Sequence, residues 1–210
     1  LATMPGVQTA LSSENMPTGT EFIQKHPANA SLTRVPLAVT EDGGVWAVKP
    51  MHTLIVGVTG SGKSSPLNMI TAQLSDAVLA GTATIYAIDP KANGDLRTKW
   101  GRSGIYRSCG EGADDYVRTI REFWESMESF STDTGALTKD SVNAAALTVS
   151  DFKASTQTPL RVLMIDELPS MINDLKNHAE GKRAIELLNQ ILRKGRSLGH
   201  IIIAASQTLE

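Results

Sequence analysis

The chain has 210 residues, 41% of them hydrophobic and 20% charged, and a formal net charge of −2. This length suits one α/β domain with a full core, and the near-neutral charge excludes a uniformly basic surface, so any contact with nucleic acid must be local. The single cysteine, Cys109, excludes an internal disulfide and fits a reducing compartment, and no apolar run reaches the ~18 residues of a membrane span.

The beginning of the chain divides into two parts. Residues 1–33 are polar, with scattered Pro, Gly, Ser and Asn, and we predict an irregular arm there; a disordered leader is the alternative. In residues 34–48, two alternating apolar runs flank Asp42, Gly43 and Gly44, which predicts a β-hairpin. Residues 34–210 are expected to form one domain. Because the chain stops just after an apolar strand, we expect that domain to be truncated at its C-terminus.

A short apolar strand then runs into a glycine-rich loop and a helix in residues 52–65, HTLIVGVTGSGKSS. The loop fits the pattern G-x-x-x-x-G-K-[ST], whose glycines let backbone amides approach a phosphate closely. Lys63 would reach the β- and γ-phosphates, and the Ser64 hydroxyl would ligate Mg²⁺. The alternative is a simple Gly/Ser-rich turn. The candidate nucleotide-binding residues are Gly57, Val58, Thr59, Gly60, Ser61, Gly62, Lys63, Ser64 and Ser65.

Apolar strands and amphipathic helices alternate after this loop, as in a parallel sheet that helices cover on both faces. We therefore predict the α/β class. Residues 131–158 are rich in Ser, Thr, Asp and Ala and predict a mobile insertion, with a weak helical signal over 141–147. The predicted strands are 84–88, 105–106, 161–165 and 200–205, and the predicted helices are one after the loop, one at 114–130 and one at 182–194.

Polar side chains follow several of these strands, at the edge of a parallel sheet where ligands bind. Asp166 follows four apolar residues and is placed to hold Mg²⁺ through water, and Glu167, facing the other way, could act as general base; a helix N-cap is the alternative. Gln207 could contact both the γ-phosphate and the attacking water, or it is simply a polar strand-end residue. Lys91 is a weaker candidate, because Asp89-Pro90-Lys91 also makes a good turn.

These segments together resemble the motor domain of the FtsK/SpoIIIE family of DNA translocases. The resemblance rests on PLAVTEDGGVW…HTLIVGVTGSGKS, on IDPK ending at Lys91, on VLMIDE ending at Glu167 and on GRSLGHIIIAASQ ending at Gln207, and it runs from about Arg34 to the end. It implies a RecA-like P-loop core that forms a ring hexamer, hydrolyses ATP with Mg²⁺ between subunits and moves double-stranded DNA in the cytoplasm, or at the cytoplasmic face of a membrane if the full protein is anchored.

The resemblance also assigns roles to single residues. Lys63 and Ser64 become the phosphate and Mg²⁺ residues, Asp166 and Glu167 the Mg²⁺-water and base pair, and Gln207 the sensor. Arg196 matches the family's arginine finger, which acts on the nucleotide of the neighbouring subunit. The alternative for Arg196 is a solvated cation at a helix end, favoured by the helix dipole.

Three features depart from chromosome translocases. The family's core continues beyond the sensor strand, the winged-helix domain is absent from this sequence, and the stretch between Glu167 and Arg196 is a few residues longer. The ending GRSLG…ASQ-x-LE is also similar to type VII secretion ATPases, although those usually carry Asp-Phe-Lys in place of Asp89-Pro90-Lys91. We therefore expect a double-stranded DNA translocase of chromosome segregation or conjugative transfer. The alternatives are a protein-export ATPase and a non-motor assembly platform that only binds nucleotide.

Overall fold

The computed structural model describes residues 17–58, 60–91, 94–133 and 152–207. Its helices are α1 (Gly19–Lys25), α2 (Ser64–Leu79), α3 (Asp95–Trp100), α4 (Ala113–Asp133), α5 (Leu168–Lys176) and α6 (Gly181–Lys194), followed by a 3-10 helix at Gly195–Leu198. The strands are β1 (Val35–Val39), β2 (Val45–Val48), β3 (Thr53–Val56), β4 (Ala83–Ile88), β5 (Tyr106–Gly110), β6 (Leu160–Asp166) and β7 (His200–Ser206).

A five-stranded sheet in the order β3-β7-β6-β4-β5 forms the centre of the fold. Every neighbouring pair in it is parallel. Strands β4, β6 and β7 are almost entirely buried, which explains their continuous apolar sequences. The predicted α/β class with a parallel sheet is confirmed.

Helices cover both faces of this sheet, and alternate residues of each strand face opposite layers. Val162 and Met164 of β6 pack with the apolar face of α2, whereas Leu163 and Ile165 pack with α4, α5 and α6. The aromatic residues Tyr116 and Phe123 of α4 are 1% and 0% exposed and so belong to the core. The carboxyl ends of the strands therefore lie at one edge, between two helical layers.

The predicted β-hairpin is confirmed as strands β1 and β2, which form a separate antiparallel sheet. The arm before it is not wholly irregular, because residues 19–25 form α1. The sequence signal for α1 was the capping box at the start of this helix, in which the side chains of Thr18 and Glu21 each accept from the other residue's backbone amide. The buried Gln73 side chain of α2 holds the chain after α1 by accepting from the Ala28 N–H (2.9 Å) and donating to the His26 carbonyl (2.9 Å).

The structure differs from the predicted elements in four further places. Strand β5 is longer than the predicted 105–106, and helices α3 and α5 were not predicted. The end of the predicted mobile insertion is ordered, since Ala154 is buried and its N–H donates to the Ser31 carbonyl (3.0 Å). The weak helical signal at 141–147 lies outside the described residues. No helix in the described ranges is both long and apolar enough to cross a bilayer.

Candidate active site

The glycine-rich loop joins β3 to α2 through two backbone positions that suit only glycine. Gly60 and Gly62 have φ of +80° and +84°, which a side chain disfavours. At Gly57 a Cβ would lie 2.5 Å from the Ser61 Oγ, so a larger residue there would require the Ser61 side chain to move. Thr59 lies outside the described residues. The sequence pattern thus corresponds to a real conformational requirement of the loop.

The N-terminus of α2 directly after this loop has free capacity for an anion. Among the described residues, no side chain caps it and its first turn carries no acidic residue. Lys63 is 9% exposed and its ammonium donates to the Val58 carbonyl (2.9 Å), so the side chain is held over the loop by the loop's own backbone. Positive helix-end amides beside a lysine and without a counter-charge are the usual arrangement for binding a phosphate.

Two buried carboxylates lie at the end of β6. Asp166 is 1% exposed and Glu167 is 5% exposed. Asp166 is still in the strand, but Glu167 has φ 84° and ψ 70°, a left-handed conformation that is unusual for a non-glycine residue. We expected strand alternation to point the two side chains in opposite directions. That cause is wrong, because Glu167 lies beyond the strand and its left-handed backbone sets the direction of its side chain. Backbone strain of this kind clusters at functional sites.

Gln207 joins the neighbouring strand end to this pair. Its Nε2 donates to the Glu167 Oε2 across 2.6 Å. One residue earlier, the Ser206 carbonyl accepts from the Gly57 N–H at the start of the glycine-rich loop (3.2 Å). The structure thus brings Gln207, the carboxylate pair and the loop together at the ends of three adjacent strands, β3, β7 and β6.

Lys91, the weaker candidate in the sequence, lies in the same cluster. Its Nζ is 3.5 Å from both the Oδ1 and the Oδ2 of Asp166 and 3.9 Å from the Glu167 Oε2. It arrives from β4, which pairs with β6 on the side away from β7. The only sequence signal was its place after a buried strand, and the turn-forming sequence around it concealed that signal.

Asp89 builds the turn that carries Lys91. Its carboxylate is fully buried and accepts from the backbone N–H groups of Lys91 (3.3 Å) and of Arg97 in α3 (3.1 Å). Gly94 leaves room for it, since a Cβ there would lie within 2 Å of the Asp89 oxygens. Burial raises the pKa of Asp89, the bond from the Arg97 amide opposes this, and the charge of Asp166 raises it further. Asp89 is thus a cap for α3 that fixes the path of the chain.

Arg196 lies at the opposite edge of the sheet, in the 3-10 helix before β7. Seven residues of strand separate it from Gln207, about 20 Å at the usual rise per residue, so it cannot reach the phosphate loop of its own chain. Its Nε is buried and has no hydrogen-bond partner in the described part of the chain, and the same holds for the Nε2 of His52. Burial, and then the charge of Arg196, lowers the pKa of His52.

The donor atoms at the candidate site are suited to Mg²⁺. The Ser64 hydroxyl and the Asp166 carboxylate are hard oxygen ligands, and Mg²⁺ commonly binds through one or two protein oxygens together with substrate phosphates and water. In the described ranges, no cluster of three or more His, Cys, Asp or Glu could hold a metal by itself. The protein by itself therefore offers Mg²⁺ only a weak site, which the phosphates of a nucleotide would complete.

Comparison with known proteins finds similar solved structures but no matching sequence family. No protein-family model and no curated protein sequence matches the chain. The structure is similar to ATPases 2 and 3 of EccC from Thermomonospora curvata, in complex with a signal sequence peptide (TM-score 0.56, 16% identity, 96% of this chain and 32% of that chain). It is also similar to the pCW3 conjugation coupling protein TcpA with ATPγS (TM-score 0.61, 18% identity, 87% of this chain and 50% of that chain).

A third similar structure is EssC (ATPases 2 and 3) from Geobacillus thermodenitrificans, with a TM-score of 0.56, 15% identity and coverage of 98% of this chain and 37% of that chain. The chain spans 32% to 50% of the length of these three proteins. At such identities the similarity shows the fold alone, which is that of RecA-like P-loop ATPases.

Proposed function

We propose that this chain is the Mg²⁺-dependent ATPase domain of a motor that moves double-stranded DNA. One observation carries the proposal: a phosphate loop, Gln207, the Asp166–Glu167 pair and Lys91 lie at the carboxyl ends of four adjacent strands. A purely structural turn or helix cap would not require these groups to meet. The same edge of parallel sheets binds ligands in other α/β proteins.

Each residue has a defined part in ATP hydrolysis. Lys63 and the amides from Gly60 to Ser65 bind the β- and γ-phosphates. Ser64 and Asp166 would hold Mg²⁺, which would supply positive charge to neutralise the phosphates. Glu167 accepts the proton of the attacking water, and Gln207, already bonded to Glu167, orients that water.

Arg196 completes the reaction only from another subunit. Because the length of β7, about 20 Å, lies between it and the edge that carries the loop of its own chain, a catalytic role requires a neighbour whose nucleotide faces Arg196. A guanidinium is always charged and planar, so it suits the charge that develops on a transferred phosphoryl group. We therefore propose a ring, expected to be a hexamer, with nucleotide between subunits.

The substrate that is moved has two candidates. The similarity to TcpA and the sequence Asp89-Pro90-Lys91 favour DNA, whereas the similarity to EccC and EssC, over 96% and 98% of this chain, favours protein export. ATP is a fuel of the cytoplasm, and we place the domain there, or at the inner membrane face if the full protein is anchored.

DNA-stimulated ATP turnover tests the proposal. In the full-length protein, we expect double-stranded DNA to raise the rate of ATP hydrolysis and to bind with strong salt dependence. The matched control is the Lys63→Ala protein, which should hydrolyse little ATP with or without DNA. An active enzyme whose rate ignores DNA but rises with an exported polypeptide would support the export alternative. Binding of Mg·ATP without any hydrolysis would support the non-motor platform.

A further inference from the structure

We propose that Lys91 is the internal counter-ion of the Asp166–Glu167 pair, which it holds in place before nucleotide binds and from which Mg²⁺ displaces it. The proposal rests on the proposed function, because it assigns a positioning residue to that reaction. Its basis is the position of the Lys91 Nζ, 3.5 Å from each oxygen of Asp166 and 3.9 Å from the nearer oxygen of Glu167. An ammonium at equal distances from both oxygens of a carboxylate is attracted by the negative charge on each of them.

The charge balance of the site requires such a group. Asp166 and Glu167 are almost completely buried, and adjacent carboxylates removed from water repel each other unless a cation or hydrogen bonds offset them. In the described part of the chain, Lys91 makes the only ion pairs of Asp166 and Glu167. Lys63 is not a substitute, since its ammonium donates to the Val58 carbonyl.

The backbone around Lys91 is fixed while its charged end is not. Its N–H donates to the buried Asp89 carboxylate (3.3 Å), and that carboxylate also caps α3. The Lys91 side chain is nevertheless 42% exposed, and its distances to Asp166 are long for charge-assisted hydrogen bonds. A fixed backbone together with a loosely held ammonium suits a cation that another cation later displaces. A permanent structural ion pair would be shorter and more buried.

Competition with Mg²⁺ follows from this arrangement. Asp166 is the carboxylate expected to hold Mg²⁺ through water, and Lys91 occupies both of its oxygens. A cation that approaches Asp166 must therefore first displace the ammonium or share the carboxylate with it. Without the ammonium, Mg²⁺ alone should bind more tightly, and the pair should become more costly to bury.

Thermal unfolding in EDTA and in a Mg²⁺ titration, without nucleotide, tests the proposal. In Lys91→Met, we expect a melting temperature lower by about 5 °C in EDTA and a midpoint of stabilisation by Mg²⁺ at about tenfold lower concentration than in the unchanged chain. Lys91→Arg keeps the charge and should restore both values to near those of the unchanged chain. Lys182→Met, at an exposed position of α6, is the matched control and should change neither.

A second variant keeps the test decisive if Lys91→Met is too unstable to purify. Lys91→Met combined with Glu167→Gln removes one negative charge together with the lysine, and we expect it to regain the lost stability. If the double variant is no more stable than Lys91→Met, or if the Mg²⁺ midpoint of Lys91→Met equals that of the unchanged chain, the counter-ion role is wrong.

Calorimetric titration with nucleotides separates this proposal from the function on which it rests. If Mg·ATP does not bind the unchanged chain, the proposed ATPase function fails, while the melting experiment still decides the role of Lys91. If Lys91→Met weakens binding of ATP but not of ADP and leaves the Mg²⁺ midpoint unchanged, the lysine contacts the γ-phosphate, and the counter-ion role is overturned.

Discussion

The two ends of strand β7 differ in whether their buried polar groups have partners within the chain. At the carboxyl end, Gln207 bonds to Glu167, and Lys91 lies between Glu167 and Asp166, so that each buried charge has a partner within the chain. At the amino end, the Nε of Arg196 and the Nε2 of His52 are buried without hydrogen-bond partners in the described part of the chain. Buried polar groups are normally satisfied, so the second arrangement needs an explanation.

The difference suggests what each end requires from outside. The side chains at the carboxyl end are already paired with one another before any ligand binds. Nucleotide binding would therefore require little further ordering of these groups. The amino end has a guanidinium whose most natural partner, an anion, is not supplied by its own chain in the described residues. A neighbour's phosphate would meet the part of this half-buried guanidinium that stays accessible, as the proposed role in trans demands, while the Nε remains inside the chain. The following predictions test this contrast, from the largest expected effect to the smallest.

Arg196→Ala should produce the largest loss. If Arg196 acts on the neighbour's nucleotide, turnover by the assembled full-length protein should fall by ~10³-fold or more, while the ATP affinity of each subunit stays nearly unchanged. Steady-state hydrolysis and calorimetry measure the two quantities separately. The reason is that charge develops on the phosphoryl group during transfer and not on binding.

Mixed rings distinguish this role from a structural one. Arg196→Ala and Glu167→Gln subunits, mixed together, form some interfaces that contain both unaltered groups, so part of the activity should return. A mixture that stays inactive although both variants co-assemble, or normal turnover by Arg196→Ala alone, would leave Arg196 as a solvated cation at a helix end.

Glu167→Gln should abolish chemistry at the carboxyl end but preserve binding. The amide keeps the shape of the side chain and can still bond to Gln207, but it cannot accept a proton, so we expect turnover to fall ~10²–10⁴-fold. Fluorescent nucleotide titration should show an affinity close to that of the unchanged protein. Hydrolysis at a near-normal rate would move the role of base to another group in the cluster.

Lys63→Ala should weaken binding itself. The loss of one charge-assisted contact costs very roughly 1.5–3 kcal/mol, or about ten- to a hundredfold in ATP affinity. Isothermal titration of the chain measures it, and Lys182→Met, an exposed lysine on α6, is the matched control. Unchanged affinity in Lys63→Ala would refute the assignment of the phosphate loop.

The sequence predicted most of the carboxyl end, because each of its groups follows an apolar strand, and β4, β6 and β7 are almost entirely buried. The buried strands are continuous apolar runs, the loop glycines obey a strict pattern, and parallel strand ends must meet at one edge. The positions of Asp166, Glu167 and Gln207 therefore followed from local signals. The importance of Lys91 was underestimated, because its partner Asp166 lies 75 residues later in the chain. No local sequence pattern shows that the lysine ammonium would lie beside that carboxylate.

Short helices and backbone turns were predicted less well. Helix α3 has only six residues, and it depends on a cap from Asp89, outside the helix, that no local pattern reveals. Helix α5 starts from the left-handed Glu167, whose conformation is set by its surroundings rather than by its residue type. The polar arrangement around Arg196 could not be predicted either, because the approach of His52 depends on the pairing of β3 with β7.

The amino end of β7 should also make the fold sensitive to acid, through a histidine that is fully satisfied. His200 is fully buried, with Nδ1 2.9 Å from the Leu198 carbonyl and Nε2 3.1 Å from the Ser126 Oγ, and the ring of Phe123 and the charge of Arg161 lie nearby. Burial lowers the pKa of His200 from 6.5 to about 4, the two hydrogen bonds oppose this, and Arg161 adds to it.

The sign of the effect follows from which state binds the proton first. The unfolded chain protonates its His200 near pH 6.5, whereas the folded chain does so only near pH 4, so stability is complete above pH 6.5 and is lost as the pH falls towards 4. At pH 5.5, about one unit below the unfolded pKa, the expected loss is roughly tenfold in the folding equilibrium. Urea unfolding at pH 7.5 and 5.5 measures it, with His200→Gln as the control that should lose most of this dependence. If His200→Gln keeps the full dependence while His52→Gln removes it, the acid sensitivity belongs to His52, whose Nδ1 accepts from the Ile202 N–H (3.0 Å) but whose Nε2 has no partner among the described residues. The contrast between the two ends of β7 would then extend to the stability of the fold, because the charge of Arg196 acts on His52 within the chain.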